Sequence, residues 1–360
     1  MLLPRAVLAR IPRAIAARRL RHWAIPLVTG AALALLSGCR PANGHPSEPP
    51  PLLNVSFDVS RELFAEVNAA ARPALQQQFG RKVEISQSHA GASKQARSVI
   101  DGVDADVVTL NTVSDIDNIA RRGHLMSTNW RSLKPYHSAP YSSVIVFVVR
   151  SGNPRKIHDW ADLVQPGVRL AMANPKTSGT ARMVHLSAWA SALKSSGGDE
   201  SRARAFVADL YARAPVLDTG SRGATITFVQ RRMGDALITL EAEQRIVAQE
   251  YKNAGFEVIY PGLSVDVEMP VAVVERVARK HGSLETANAY LDFLYTPRAQ
   301  EIIARNHFRP RDPGVRQQFT AQFPNVDLVD IDRDLGGWDA VMVKHFAEGG
   351  VFDQAYGRQR

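Results

Sequence analysis

The sequence predicts an α/β protein of two hinge-linked lobes with a ligand cleft between them. Three observations carry this expectation. From Leu52 onward, short apolar runs alternate with helical patterns of roughly 10 to 20 residues, the rhythm of βαβ units around mainly parallel sheets. The folded part, about 310 residues, exceeds what one core usually serves, so division into two lobes is the natural solution. An apolar fraction of 45% supplies two interiors without help from disulfides or metals.

The first 39 residues read as a targeting segment. Six arginines (Arg5, Arg10, Arg13, Arg18, Arg19 and Arg21) precede the apolar run Ala24 to Leu36, which small residues follow. The run is shorter than the ~20 residues that cross a bilayer, so a secretory signal is favoured over a permanent span. Leu36-Ser37-Gly38-Cys39 resembles the lipobox of bacterial lipoproteins, and Cys39 is the one cysteine in the chain, so no internal disulfide can form. The competing reading is a plain signal peptide with an incidental cysteine. Residues 40–51, with Pro41, Pro46, Pro49, Pro50 and Pro51, read as an extended tether. The net charge of +9 drops to +3 once the six leader arginines are removed, too little and too interspersed with acids for a nucleic-acid footprint.

Strands are expected at Leu52–Phe57, Val83–Ser86, Asp106–Leu110, Val144–Val149, Arg169–Met172, Val216–Leu217, Ala236–Thr239, Phe256–Tyr260 and Met269–Val274. Helices are expected between most of them, for example at Glu62–Gln78, Gln95–Ile100 and Ala181–Leu193. Residues 52–136 and 261–356, with C-terminal helices, would form the first lobe, and 138–260 the second. A cleft between such lobes is a favoured place for a small ligand.

One junction recurs four times: apolar strand, short loop of Ser, Thr, Gly or Asp, then helix. The loops are Asp58-Val59-Ser60, Ser88 to Ser93, Asn174 to Thr180, and Asp218 to Gly223. A helix start leaves N–H groups unpaired and carries partial positive charge, so it suits an anion. Small residues admit the ligand to the backbone, and hydroxyls add neutral donors. Plain N-capping uses the same residues, and from this pattern alone both readings stand.

At these loops the chain resembles the periplasmic sulfate- and thiosulfate-binding proteins of bacterial ABC importers. The matching segments are Leu52 to Asp58 with Arg61-Glu62-Leu63, Gln87 to Gln95, Gly152-Asn153-Pro154, Ile157 to Trp160, Asn174 to Gly179, Asp218 to Thr225, Arg309-Pro310-Arg311 and Gly336-Gly337-Trp338. The resemblance implies the type II periplasmic binding protein fold, no enzyme activity and no cofactor. It implies a monomer that takes sulfate or thiosulfate and delivers it to permease and ATPase subunits. By position in the motifs, backbone donors from Asp58, Ser178, Gly179, Thr180 and Ser221 would hold the ligand. A dianion offers only acceptors, so a site built only of donors selects it over protonated phosphate.

Three positions depart from the sulfate pattern. Ala92 stands where a serine hydroxyl would donate, with Ser93 next to it as the replacement; Leu240 stands where a tryptophan indole would donate; Ser221 stands where a smaller residue is expected. Losing an indole donor suits a ligand with one weakly accepting sulfur, so thiosulfate is expected to bind at least as well as sulfate. Ala90 and Asp218-Thr219-Gly220 lean the same way. The remaining alternatives are a binding protein for another oxyanion and a lipid-anchored module that binds a protein through an exposed apolar patch.

Other constellations weigh less. Ser191-Ala192-Leu193-Lys194 matches the Ser-x-x-Lys nucleophile of penicillin-interactive enzymes, but its order relative to Lys176-Thr177-Ser178-Gly179 is reversed and no Ser-Asp-Asn element accompanies it. The ten histidines show no metal-ligand spacing; His89 reads as a hydrogen-bonding loop or core residue, and His158, His185 and His345 as scattered packing or surface positions. Arg222 and Lys94 are expected on the surface, attracting the anion at long range.

Overall fold

A computed structural model describes residues 51–250 and 255–357. The leader, Cys39 and the tether up to Pro50 lie outside the described residues. Strands in chain order are β1 (Leu52–Phe57), β2 (Ile85–Ala90), β3 (Val107–Thr109), β4 (Tyr141–Ser143), β5 (Ile145–Arg150), β6 (Leu170–Ala173), β7 (Leu217–Asp218), β8 (Ala236–Leu240), β9 (Phe256–Ile259), β10 (Leu263–Val265), β11 (Val267–Glu268), β12 (Val271–Val273), β13 (Arg309–Pro310) and β14 (Asp327–Val329). The first eight helices are α1 (Arg61–Phe79), α2 (Ala92–Ile100), α3 (Val113–Arg121), α4 (Pro135–Ser138), α5 (Gly179–Ser195), α6 (Glu200–Ala212), α7 (Ser221–Val229) and α8 (Glu243–Glu250). After β12 come α9 (Glu275–His281), α10 (Leu284–Phe293), α11 (Pro297–Arg305), α12 (Pro313–Gln318), α13 (Ile331–Asp334), α14 (Trp338–Val341) and α15 (Val351–Gly357).

The two lobes are built on two sheets. The first has the order β12-β3-β1-β2 and the second β7-β6-β8-β5-β9. The parallel pairs β1/β2, β1/β3, β6/β7 and β6/β8 follow the expected βαβ pattern. Each sheet also contains one reversed strand: β12 runs against β3, and β5 against both β8 and β9. Most strands of each sheet thus run the same way, as expected, with β12 and β5 the exceptions. The reversed strands follow from the chain leaving one sheet and entering the other, which removes the helical crossover that parallel neighbours need. β5 and β8 are buried along nearly their whole length, as central strands covered on both faces should be.

β2 extends past the predicted Val83–Ser86 to include Ser88, His89 and Ala90, which the sequence placed in a loop. These polar residues stay in the strand because their hydrogen bonds are met: Ser56 and Phe57 of β1 pair with His89 and Ala90, Gln95 Nε2 donates to Ser88 Oγ (3.1 Å), and His89 Nδ1 donates to Phe57 O (3.2 Å). His89 is a neutral structural histidine, held to about pKa 4 by burial.

Short strands lie where the chain passes between the lobes. β4 pairs antiparallel with both β11 and β13, forming a three-stranded sheet in the order β11-β4-β13. Just before β4, Tyr136 (φ 54°, ψ 43°), His137 (φ 56°, ψ 38°) and Ser138 (φ 60°) are all left-handed, so α4 is helical only in its hydrogen bonding. Each such residue costs roughly 1–2 kcal/mol, and Ser138 Oγ donating to Trp130 O (2.8 Å) helps hold the turn.

Two segments between residues 261 and 357 pack against α5 and α6. Leu263–Val265 packs on α5, with Trp160 Nε1 donating to Leu263 O (2.8 Å) and Val265 N to Ser187 Oγ (3.0 Å). The C-terminal residues pack likewise, with α15 on α6 and Phe352 edge-on to Tyr211 at 5.1 Å. His345 fills the same aromatic pocket, its Nδ1 3.0 Å from His185 Nε2, while Tyr211 OH and His185 Nδ1 are 3.1 Å apart. His185 and His345 are thus one buried pair, and burial lowers both pKa values. The aromatic pocket holds this tail on α5 and α6. No helix among the described residues is long and apolar enough to cross a membrane.

Candidate functional site

The four predicted junctions meet. A side chain on Gly91, which precedes α2, would lie 2.5 Å from Thr177 O and 2.9 Å from Thr219 O, both on loops of the second lobe. One on Gly220, before α7, would collide with Asp58 Oδ2, and one on Gly179, at the start of α5, with Asn111 Oδ1. The glycines therefore serve close approach: the Gly91 and Gly220 φ values of −56° and −159° are open to any residue.

Each junction contributes differently. At α5, Ser178 is the N-cap, its Oγ accepting from Ala181 N (3.4 Å), while its own N–H donates to Asn174 O (2.9 Å). The expected Ser178 backbone donor is therefore already in use, because the Asn174-to-Thr177 turn ends there; its hydroxyl proton remains available. Gly179 and Thr180 follow in the first turn, where a helix offers its amides no carbonyl four residues back. At α2, Lys94 N and Gln95 N bond to Gly91 O, leaving Ala92 and Ser93 as the first-turn amides. The Ser93 hydroxyl does not replace the serine missing at Ala92, because it donates to Asp115 Oδ2 (3.1 Å). At α7, Ser221 presents a buried hydroxyl with no hydrogen-bond partner among the described residues. Leu240, at the end of β8, is fully buried in the apolar core.

Asp58 carries the most unusual electrostatics. Its carboxylate accepts from Val59 N (3.1 Å) in its own turn and from Arg222 N (3.1 Å) in the first turn of α7 on the other lobe. Burial pushes this carboxyl above its ordinary value, against the N–H bonds and the Arg222 charge that pull it down. Arg222 is not the surface cation expected: its guanidinium pairs with Glu62 (3.0 Å), and its Nε lies 3.4 Å from buried Glu243 Oε1. Glu243 also accepts from Thr225 Oγ1 (2.6 Å), and burial raises its carboxyl to about 7. Lys94 is exposed, as expected.

The sequence reading missed two contributors. Asn111, in the loop after β3, donates from Nδ2 to Thr180 Oγ1 (3.0 Å), fixing that hydroxyl so that its own proton points elsewhere; Asn111-Thr112 before α3 is a fifth strand-to-helix junction of the same composition. Arg182 in α5 donates to Asp115 Oδ1 (3.0 Å) in α3, an ion pair between lobes whose side chains are 8% and 2% exposed. Among the described residues, no group of three or more His, Cys, Asp or Glu side chains could hold a metal ion.

The Glu243 environment gives a pH dependence. A carboxyl raised from 4.5 to about 7 contributes stability that is full below pH 4.5 and lost as pH rises through 7. The histidines held neutral by burial act oppositely, losing stability as pH falls below 6.5. The Glu243 share is therefore read as a difference. Glu243→Gln is expected to flatten the decline in thermal midpoint between pH 5 and 8, as followed by calorimetry; a wild-type slope in the variant would refute it.

Comparison with known proteins agrees with this geometry. Residues 59–309 match the model of the family described as bacterial extracellular solute-binding protein. A thiosulfate-binding protein of Pseudomonas aeruginosa is 47% identical over 306 residues, covering 85% of this chain and 92% of the relative. A sulfate-binding protein of Escherichia coli is 48% identical over 303 residues, covering 84% and 92%. Among solved structures, the sulfate-binding protein SubI from Mycobacterium tuberculosis superposes with a TM-score of 0.73 at 31% identity, covering 82% of this chain and 99% of that one. With matches of this length and identity, the chain belongs to the bacterial extracellular solute-binding proteins, and its relatives within that family are the sulfate- and thiosulfate-binding proteins.

Proposed function

We propose that this protein captures sulfate or thiosulfate in the periplasm and presents it, as a monomer, to the permease and ATPase of an ABC importer. The observation that supports it best is the convergence of the α2, α5 and α7 starts with the Asp58 turn, where the unpartnered Ser221 hydroxyl adds a neutral donor. The ligand donors would be the amides of Asp58, Ala92, Ser93, Gly179, Thr180 and Ser221 with the hydroxyls of Ser178, Thr180 and Ser221. No full positive charge is needed: peptide dipoles and N–H groups at helix starts stabilise an anion, and enclosure strengthens each bond. The Arg222 guanidinium, engaged by Glu62 and Glu243, would orient α7 without touching the ligand.

The first lobe would comprise residues 52–136 and 261–356 and the second 138–260, with Leu263–Val265 and the C-terminal residues reaching across onto α5 and α6. Acylation at Cys39 would tether the protein to the membrane. The relatives at 47% and 48% identity bear the names of different ligands, so identity does not choose between them. The departures at Ala92 and Leu240 favour thiosulfate.

Calorimetric titration with sulfate, thiosulfate, phosphate, molybdate and tungstate tests the reading. Thiosulfate is expected to bind at least as tightly as sulfate and phosphate far more weakly. Sulfate binding tenfold tighter than thiosulfate would remove the thiosulfate preference, and silence toward all five would remove the oxyanion.

A further inference from the structure

Helix α1 of the first lobe carries two glutamates one turn apart, and both engage arginines of the second lobe. Glu62 Oε1 and Oε2 accept from Arg222 Nη1 (3.3 Å) and Nη2 (3.0 Å), a two-point grip at the start of α7. Glu66 Oε1 accepts from Arg245 Nη2 (3.0 Å), on α8. Spacing of i and i+4 places both carboxylates on one stripe of α1, facing the same lobe.

Each arginine is also held by a second group. Arg222 Nε lies 3.4 Å from Glu243 Oε1 within its own lobe, so its side chain stays aimed at Glu62 when the lobes part. Arg245 donates from Nη1 to Asn306, just past α11, which packs with α1. Glu62 and Arg222 side chains are 31% and 22% exposed, and Glu66 and Arg245 39% and 20%, so the pairs are only partly screened by water. Glu62 lies in the first turn of α1 and grips α7 through Arg222, whereas Glu66 sits one turn further on and grips α8 through Arg245.

We propose that Glu62 and Glu66 form a two-point acidic latch that sets how long the cleft stays shut. They are positioning residues: they hold α7 and α8 against α1 and touch no ligand. Opening separates all four side chains, so the latch slows escape of the bound anion and leaves its entry into the open form unchanged. Part of the cross-lobe grip would thus reside outside the anion site, and mobile salt would loosen it.

The ligand readout rests on the oxyanion reading, so the test has two arms. In stopped-flow dissociation of thiosulfate or sulfate from the purified protein, Glu62→Gln and Glu66→Gln should each speed release about threefold, and the double variant about tenfold. These ratios should shrink toward one at high salt, and Glu66→Arg combined with Arg245→Glu should release more slowly than Glu66→Arg alone. Unchanged release rates, or an effect confined to association, would overturn the latch. If the wild type binds neither anion, the oxyanion reading is what has failed, and X-ray scattering of ligand-free protein decides the latch alone. A larger radius of gyration in the double variant than in the wild type supports it; equal radii overturn it.

Discussion

Arg182→Ala is expected to weaken anion capture about 100-fold while leaving each lobe folded. Its guanidinium meets Asp115 in a pair almost wholly out of water, 3.0 Å between Nη1 and Oδ1. Breaking such a pair strands the remaining charge and costs about 3–5 kcal/mol. Two features place the loss at the lower end of that range. Ser93 Oγ and Thr112 Oγ1 continue to donate to Asp115 Oδ2 from its own lobe, and reopening lets water reach the carboxylate. A loss of about 3 kcal/mol in the closed form alone appears as roughly a 100-fold rise in Kd. Because the pair joins α5 to α3, the ligand-free thermal midpoint should move little. A Kd within threefold of wild type would show that the pair does not hold the lobes together. Arg182→Lys should restore only part of the affinity, since a lysine cannot also reproduce the Arg182 Nε bond to Pro175 O (3.0 Å).

Gly91→Val should be at least as damaging, for a steric reason. The first carbon of any side chain there would sit 2.5 Å from Thr177 O and 2.9 Å from Thr219 O, two backbone atoms of the facing lobe with no rotamer to escape into. The Gly91 backbone itself accepts valine without strain, so the open form keeps its stability. Saturating thiosulfate should then fail to compact the variant in X-ray scattering, with affinity reduced 100-fold or more. Gly91→Ala should fall between valine and wild type. Normal closure by the valine variant would mean that the loops do not come together around a ligand as described.

Much of this site was legible in the sequence because its signals are local. The strand-loop-helix junctions at Asp58, Gly91, Ser178 and Ser221 depend on apolar runs and small polar residues within a few positions, and β1 matches its predicted bounds end to end. What escaped depends on distant partners. Asn111 looks like any polar loop residue until Thr180, 69 positions away, supplies its bond. The polar end of β2 reads as a loop because its partners lie across the sheet. β11 and β13 are two residues each, too short for any alternation to show. The C-terminal tail follows an aromatic pocket assembled from His185, Trp189 and Tyr211, which no window along the chain contains. The Ser178 amide was misjudged for the opposite reason: the five-residue turn from Asn174 to Ser178 already uses it.

The small β11-β4-β13 sheet has a mechanical consequence. Three places where the chain passes between the halves, β4, β11 and β13, are gathered in it, and Ser142 lies opposite both Glu268 and Arg309. Three separate strings would let the halves twist, slide and rock independently. Stitched side by side, they behave as a single strip that bends about one line. Such a strip confines the halves to a jaw-like swing, returning the same loops to the same opposing positions on each cycle.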